Sequence, residues 1–297
     1  YLTTVGRVQT PTLAVVVQRE EEINAFVPRT YWEVHATFEC ANGTYEAKWF
    51  DADFKKDPAD EEAKAERRWT LDEAERIVRR CTGRPGQVTE VKKRTRQSAP
   101  LLFDLTSLQR EANSRFGFSA KTTLAVAQSL YEKHKAVTYP RTDSRALPED
   151  YLGTVCEVLG KLPQISSAYA PFAEKILKEA WVKPNRRIFD NQKISDHFAI
   201  IPTGETPKTF TEVEQKVYDL IVRRFLSVFY PAAEYDVTTR ITVVEDESFR
   251  SEGKVLVDPG WMVVRGLPTK PTKGDLPPVA EGETVQTVEV LAVEDVT

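Results

Sequence analysis

Residues 103–144 read FDLTSLQREANSRFGFSAKTTLAVAQSLYEKHKAVTYPRTDS. The first part predicts two amphipathic helices, Ser107–Phe116 and Ala120–His134, joined by Gly117-Phe118-Ser119 with Ser119 as the second helix's cap. A helix, a short turn and a second helix is the shape of a winged-helix-like unit, which globular helix pairs in general share. The helical pattern then stops. Pro140 has a fixed φ and pushes Tyr139 into extended backbone. In extended chain, side chains two apart point the same way, so Tyr139 and Arg141 are expected to face one substrate. Thr142, Asp143 and Ser144 add hydroxyls and a carboxylate, and Asp143 or Ser144 can cap a following helix. A phenol beside a fixed cation suits attack on a phosphate. The plainer alternative is a turn whose tyrosine packs and whose arginine is solvated.

On either side of this block the periodicity changes. Before it, residues 10–23 predict a helix with Pro11 in its first turn, Thr10 as cap and Leu13, Val16, Val17 and Ile23 on its apolar side. Trp32, Val34, Ala36 and Phe38, then Tyr45, Ala47 and Trp49, alternate about Asn42-Gly43 and predict a β-hairpin. Residues 51–68 are charged and expected to form an exposed excursion. Thr70 and Glu73 make a capping box for a helix ending near Gly83, and Val88–Thr95 returns to strand. After the block, Glu149–Leu159, Phe172–Trp181 and Val213–Phe229 read as helices. Tyr235–Val244, Phe249–Val257, Trp261–Gly266 and Glu283–Val293 read as strands. Strands, a helical block and strands again predict an α+β chain, in which a β-rich domain carries a mostly helical insertion.

The chain has 297 residues, 41% hydrophobic and 29% charged, with a net charge of −4, which allows two compact units with cores. No apolar run approaches the roughly 20 residues a membrane-spanning helix needs, and no secretory signal opens the chain. Cys40, Cys81 and Cys156 form no metal-ligand pair and fit a reduced, cytoplasmic setting. The acidic balance does not by itself suggest a nucleic-acid partner, but a local groove can bind against the net charge. Lys92, Lys93, Arg94 and Arg96, preceded by Arg76, Arg79, Arg80 and Arg84, form either a solvated face or a DNA-facing surface.

Three blocks in order carry a resemblance: Val5–Leu13 (VGRVQTPTL), Phe103–Ser144 and Ser195–Thr203 (SDHFAIIPT). Together they resemble type IA DNA topoisomerases, especially the topoisomerase III branch. The resemblance implies a β-rich domain that arches away from the body (domain II, residues 26–98 and 235–297) and bears a helical domain III (residues 99–234) with the active-site tyrosine. Residues 1–25 would be a helix of domain IV. It implies that Tyr139 is the nucleophile, which forms a 5′-phosphotyrosine bond with single-stranded DNA in ATP-independent relaxation or decatenation.

Free tyrosine has a pKa of ~10 and needs help to attack. Arg141 is the expected phosphate clamp, favouring the phenolate and offsetting charge in the transition state. His197 matches a family histidine that hydrogen-bonds the DNA backbone, although Phe198 stands where topoisomerase III sequences often have a second histidine. Glu132 matches a family glutamate at a helix end, or is a surface carboxylate. Arg7 and Gln9 match a DNA-contacting segment, or start a helix in solvent. Thr138, Thr142, Asp143, Lys121 and Arg145 are further candidates for DNA contact. Phe116, Phe118 and Tyr131 are placed to stack on bases or, more simply, to pack a helical core.

The family uses Mg²⁺ held by a Toprim domain. Asp51-Ala52-Asp53 follows a hairpin strand and reads as a loop of solvated aspartates, so no metal or cofactor is expected on these residues. The chain is therefore expected to be a central fragment, inactive alone, whose partners are single-stranded DNA, the missing Toprim domain and the rest of domain IV, with no membrane. The rival reading from another class is a non-catalytic single-stranded-DNA-binding module. An unrelated phosphotransfer enzyme using Tyr139 as an acid lacks any Gly-rich phosphate loop.

Overall fold

The computed structural model describes residues 6–205, 209–266, 274, 276–280 and 282–297; Val5, which opens the first of the three blocks, lies outside them. The chain divides into two compact units, residues 1–92, 238–253 and 275–297, and residues 93–237 and 254–274.

The first unit is built on alternation. In β1 (Thr30–Cys40) and β2 (Gly43–Phe50), Val34, Ala36, Phe38, Tyr45, Ala47 and Trp49 are buried while His35, Glu39 and Glu46 are exposed. That is the period-two pattern the sequence carries. The strands pair antiparallel about the two-residue turn Ala41-Asn42, with Cys40 opposite Gly43. α2 (Leu71–Cys81) starts where Thr70 accepts a hydrogen bond from the Glu73 amide, and it buries Ala74, Ile77 and Cys81.

With β3 (Pro85–Gln97), β4 (Ala233–Val244), β5 (Glu247–Asp258) and β6 (Thr284–Val296), the strands close into a barrel of order β1-β2-β5-β4-β3-β6. β6 returns to β1, from Thr30 opposite Val296 to Glu39 opposite Gln286. Closure leaves no free sheet edge. Inside sits Arg240, only 1% exposed, with its guanidinium 4.2 Å from the Tyr45 ring and its Nε donating to Glu90 at 2.8 Å.

Two local expectations are corrected here. The charged segment 51–68 is not a free excursion. Arg68 bridges Trp32 through its backbone, pairs with Asp51 at 3.1 Å and lies 4.1 Å from the Trp49 ring, while Arg67 covers Tyr31 at 4.0 Å. Its arginines shield the outer aromatic faces of the hairpin. α1 (Gln9–Ala25) contains Pro11 in its first turn, but its cap position is Val8 without a side-chain bond. Thr10 sits inside that turn and accepts from the Gly6 amide at 3.0 Å. Leu13, Val16, Val17 and Ile23 are all exposed.

The second unit is helical: α3 (Leu105–Phe116), α4 (Ala120–Glu132), α5 (Leu152–Ile165), α6 (Ala170–Lys178), α7 (Glu212–Ser227) and the single turn α8 (Met262–Arg265). Asp104 and Ser107 form a capping box at α3, and Gly117 ends it at φ 69°, a conformation that costs glycine little. Ser119 caps α4 by accepting from Thr122, as the sequence predicts. α7 is the central element, with Val217, Tyr218, Ile221, Val222 and Phe225 inaccessible; Leu108, Ala127, Leu130 and Leu159 share its core.

Residues 254–274, assigned to the β-rich domain from sequence, group with this helical unit. Trp261 and Val264 are buried in its core, and the Trp261 indole donates to Gln97 O at 2.9 Å. The expected strand 261–266 is replaced by α8. Gly260, at φ 47°, turns the chain so tightly against the Pro231 and Ala232 carbonyls that no Cβ would fit. β-propensity loses to that turn and to burial of the tryptophan.

Glu90→Ala should leave the Arg240 charge buried and unpaired, costing about 3–5 kcal/mol. Chemical denaturation of the variant checks this, and a loss below about 1 kcal/mol would show that water reaches the guanidinium.

Candidate active site

Two irregular segments of the helical unit, residues 136–147 and 189–203, are laced together by threonine and serine hydroxyls. Thr138 Oγ1 donates to Ala199 O and accepts from the Ile201 amide, both at 2.9 Å. Thr142 Oγ1 donates to His197 O at 2.8 Å, and Ser144 Oγ to Lys193 O at 2.7 Å. Thr203 Oγ1 reaches back to Lys135 O at 2.6 Å. Short hydroxyl side chains do this because each can satisfy a backbone group that no regular ladder serves. Along residues 140–145 burial alternates: Pro140, Thr142 and Ser144 point inward while Arg141, Asp143 and Arg145 are exposed.

The lacing brings Tyr139 against His197, with ring centroids 4.2 Å apart and planes tilted by 39°. Tyr131, from the last turn of α4, meets the other side of Tyr139 edge-on at 5.5 Å. Tyr139 is half-buried and lines a cleft of about 360 Å³ with Tyr131, Lys135, His197 and Phe198. Among the described residues its hydroxyl makes no hydrogen bond. Lys135 is held at φ 54°, a left-handed conformation that a non-glycine residue adopts only under constraint. Its ammonium group lies 5.6 Å from the Tyr131 ring.

Arg141 lines a second cleft, of about 580 Å³, whose wall also includes His197. Its guanidinium pairs with no carboxylate among the described residues. Instead the Gln128 carboxamide, turned so that its oxygen faces Arg141, accepts from Nε at 3.2 Å and Nη2 at 2.6 Å. A neutral partner fixes the fork without cancelling its charge. The same cleft carries Asp104, Asp143 and Asp196. Asp104 is hydrogen-bonded by Ser107 and paired with Arg145 at 2.7 Å; burial opposes its ionisation, but these bonds outweigh it and hold its carboxyl below the ordinary range. Asp143 accepts from Ser195 Oγ at 3.3 Å.

The remaining candidates fall elsewhere. Glu132 is exposed at the end of α4 and lines neither cleft. Lys121 is exposed in the first turn of α4. Arg7 and Gln9 lie at the start of α1 in the other unit, exposed. Phe116 and Phe118 pack on each other, 5.3 Å apart, against the helical core.

Sequence reasoning missed Gln128 and Lys135. Gln128 shares a helix face with Glu132, four residues on, so periodicity alone does not say which one serves the site. For Lys135, no local signal predicts a left-handed lysine.

Among the described residues no three His, Cys, Asp or Glu side chains come close enough to hold a metal ion. Asp51 is committed to Arg68 and to the Asp53 amide. These residues do not fit a magnesium site. No described helix is long and apolar enough to cross a membrane.

The helical unit thus gathers a phenol, an imidazole and an ammonium group on one open cleft, and the same imidazole with a guanidinium on a second. The family model for DNA topoisomerase (Topoisom_bac) matches residues 1–297, and the chain belongs to that family. Within it, the chain is 43% identical over 263 residues to DNA topoisomerase 3 of Bacillus cereus, an alignment covering 87% of this chain and 34% of that protein. It is 38% identical over 289 residues to DNA topoisomerase 3 of Bacillus subtilis, covering 94% and 38% respectively. The chain thus spans little more than a third of the curated relatives it matches. The solved full-length topoisomerase I from Thermotoga maritima aligns over 100% of this chain and 46% of that chain with a TM-score of 0.67 at 23% identity, a likeness of fold.

Glu214, at the start of α7, accepts from Ser129 at 2.7 Å and the Thr211 amide at 2.8 Å and meets His134 Nε2 at 3.2 Å. Burial opposes its ionisation, but these donors outweigh it and lower its pKa from 4.5 to about 2. A depressed carboxylate stabilises the folded chain above its unfolded value and loses that contribution as pH falls through the folded one. Stability should therefore drop between about pH 4.5 and pH 2 more steeply in the wild type than in Glu214→Gln. Urea titrations across that range check this; parallel curves would contradict it.

Proposed function

We propose that the protein carrying this chain changes DNA topology by breaking and rejoining one strand, with Tyr139 as nucleophile. The phenolic oxygen attacks a backbone phosphorus, the bond from phosphorus to the 3′-oxygen breaks, and a 5′-phosphotyrosine diester forms. The phenol gives up its proton and the departing 3′-oxygen gains one, leaving a 3′-hydroxyl that later reverses the exchange. The number of phosphodiester-type bonds is unchanged, so no ATP is consumed. The observation that carries this reading is the phenolic hydroxyl, without a hydrogen bond among the described residues, in an open cleft that Lys135 and His197 also line.

Within that cleft, Lys135 supplies the cation that a phosphate entering beside the phenol would meet. Arg141, oriented by Gln128 and unpaired with acid, clamps a phosphate oxygen as charge builds on it. His197 holds the backbone between the two clefts. Thr138 and Thr142 act as positioning residues, since both hydroxyls are spent on backbone groups. Asp143 is an acceptor for Ser195, Glu132 and Lys121 are exposed on α4 outside both clefts, and Arg7 and Gln9, in the other unit, keep the DNA-contacting role that the resemblance implies. The barrel is assigned to domain II and the helical unit to domain III. Any magnesium is held by residues beyond those described, in the Toprim domain, so residues 1–297 alone form no covalent complex with DNA. The substrate is single-stranded DNA in the bacterial cytoplasm.

In the whole protein, Tyr139→Phe should abolish both relaxation of supercoiled plasmid and the covalent adduct trapped by denaturant. Arg141→Ala should slow cleavage by roughly 10²–10³-fold, the cost of one transition-state donor, with Arg141→Lys recovering part of it. Relaxation by Tyr139→Phe at the wild-type rate would remove the enzyme reading of this tyrosine and leave residues 1–297 as a single-stranded-DNA-binding module.

A further inference from the structure

A third depression, of about 420 Å³, opens on the helical unit between α3, α7 and α8, and its lining is dominated by arginine: Arg110, Arg115, Arg145, Arg224 and Arg265 surround Glu111. Glu111 is shared by three guanidiniums, those of Arg115, Arg224 and Arg265. Arg145 is matched by Asp104. Arg110 is exposed and has no partner among the described residues. Counting Asp104, seven charged groups thus leave a surplus of positive charge in a chain whose net charge is −4.

The surplus is also incompletely solvated. Arg224 is buried, and its Nε has no hydrogen-bond partner. Burial, with repulsion from Arg265 and Arg115 outweighing part of the Glu111 attraction, lowers its pKa to about 10. One carboxylate cannot balance three guanidiniums, and an anion entering from solvent would relieve what remains. The second cleft, by contrast, has three aspartates against Arg141.

We propose that this arginine-lined depression is a secondary binding site for a backbone phosphate of a DNA strand, distinct from the cleavage clefts. It rests on the reading of the chain as part of a strand-breaking enzyme, and adds to it a second point of strand contact. A phosphate oxygen would meet Arg110 and Arg115 at the rim, while the buried Arg224 guanidinium, held by Leu101 O and Glu111, adds positive charge to the lining. Bidentate arginine contact with a phosphate positions a strand without reading its sequence.

The test is binding of the whole protein to a fluorescent oligothymidine of about 20 nucleotides across a salt series, with the Arg110→Glu/Arg115→Glu variant and its Arg110→Lys/Arg115→Lys control. Reversal should weaken binding by about tenfold or more and flatten the salt dependence by about one unit of slope, and lysine should restore most of both. Equal affinity and slope in all three proteins, with matched melting curves, would overturn the proposal. So would a melting-temperature rise with inorganic phosphate that reversal abolishes while oligonucleotide binding is unchanged, since that pattern assigns the site to a free anion. Failure of Tyr139 as nucleophile is read separately, by the adduct, and leaves these affinities untouched.

Discussion

The Thr138 hydroxyl is the pivot of the site. It gives its proton to Ala199 O and takes one from the Ile201 amide, filling both roles a hydroxyl has. Two distant stretches of chain are joined there without a regular sheet, and the tyrosine next along the chain is delivered to a histidine from the other stretch. Everything chemical about the site follows from that join. Remove it and the 4.2 Å ring contact between Tyr139 and His197 is left to the Thr142 hydrogen bond on His197 O and to the packing of Tyr131.

Electrostatics divides the surfaces around this join into distinct kinds. The phenol's cleft is lined by four aromatic rings and one ammonium group. Its neighbour holds an acid-rich lining around a guanidinium fixed by an amide. Beyond Arg145, itself tied to Asp104 at 2.7 Å, lies a surface where arginine outnumbers acid. A chain that is acidic overall thus gathers a surplus of arginine on one depression, which net charge alone conceals.

Much of this was legible in residues 103–144. Gly117 and Ser119 mark the turn between α3 and α4, and both sit where the sequence puts them because their conformational roles are local. The hairpin of β1 and β2 was equally readable, since alternation and a two-residue turn specify each other. The rest depended on long-range packing. Trp261-Met-Val-Val has strand propensity, yet burial of the indole and the Gly260 turn make it α8. Closure of the sheet is set by the register of β6 on β1, which no local pattern encodes. Within the site, the Pro140 spacing drew attention to Tyr139 and Arg141, while His197 was singled out only through the resemblance of its block. Gln128 and Lys135 did not stand out, because their contributions come from where α4 ends rather than from any motif.

The central claim is that the Tyr139 oxygen is the atom that takes the strand. The most direct measurement is mass spectrometry of the covalent complex after nuclease and protease digestion, locating the residue that carries the nucleotide remnant. The account predicts the remnant on the peptide bearing Tyr139, joined through its 5′-phosphate. A remnant on any other residue, or one joined through a 3′-phosphate, would contradict it.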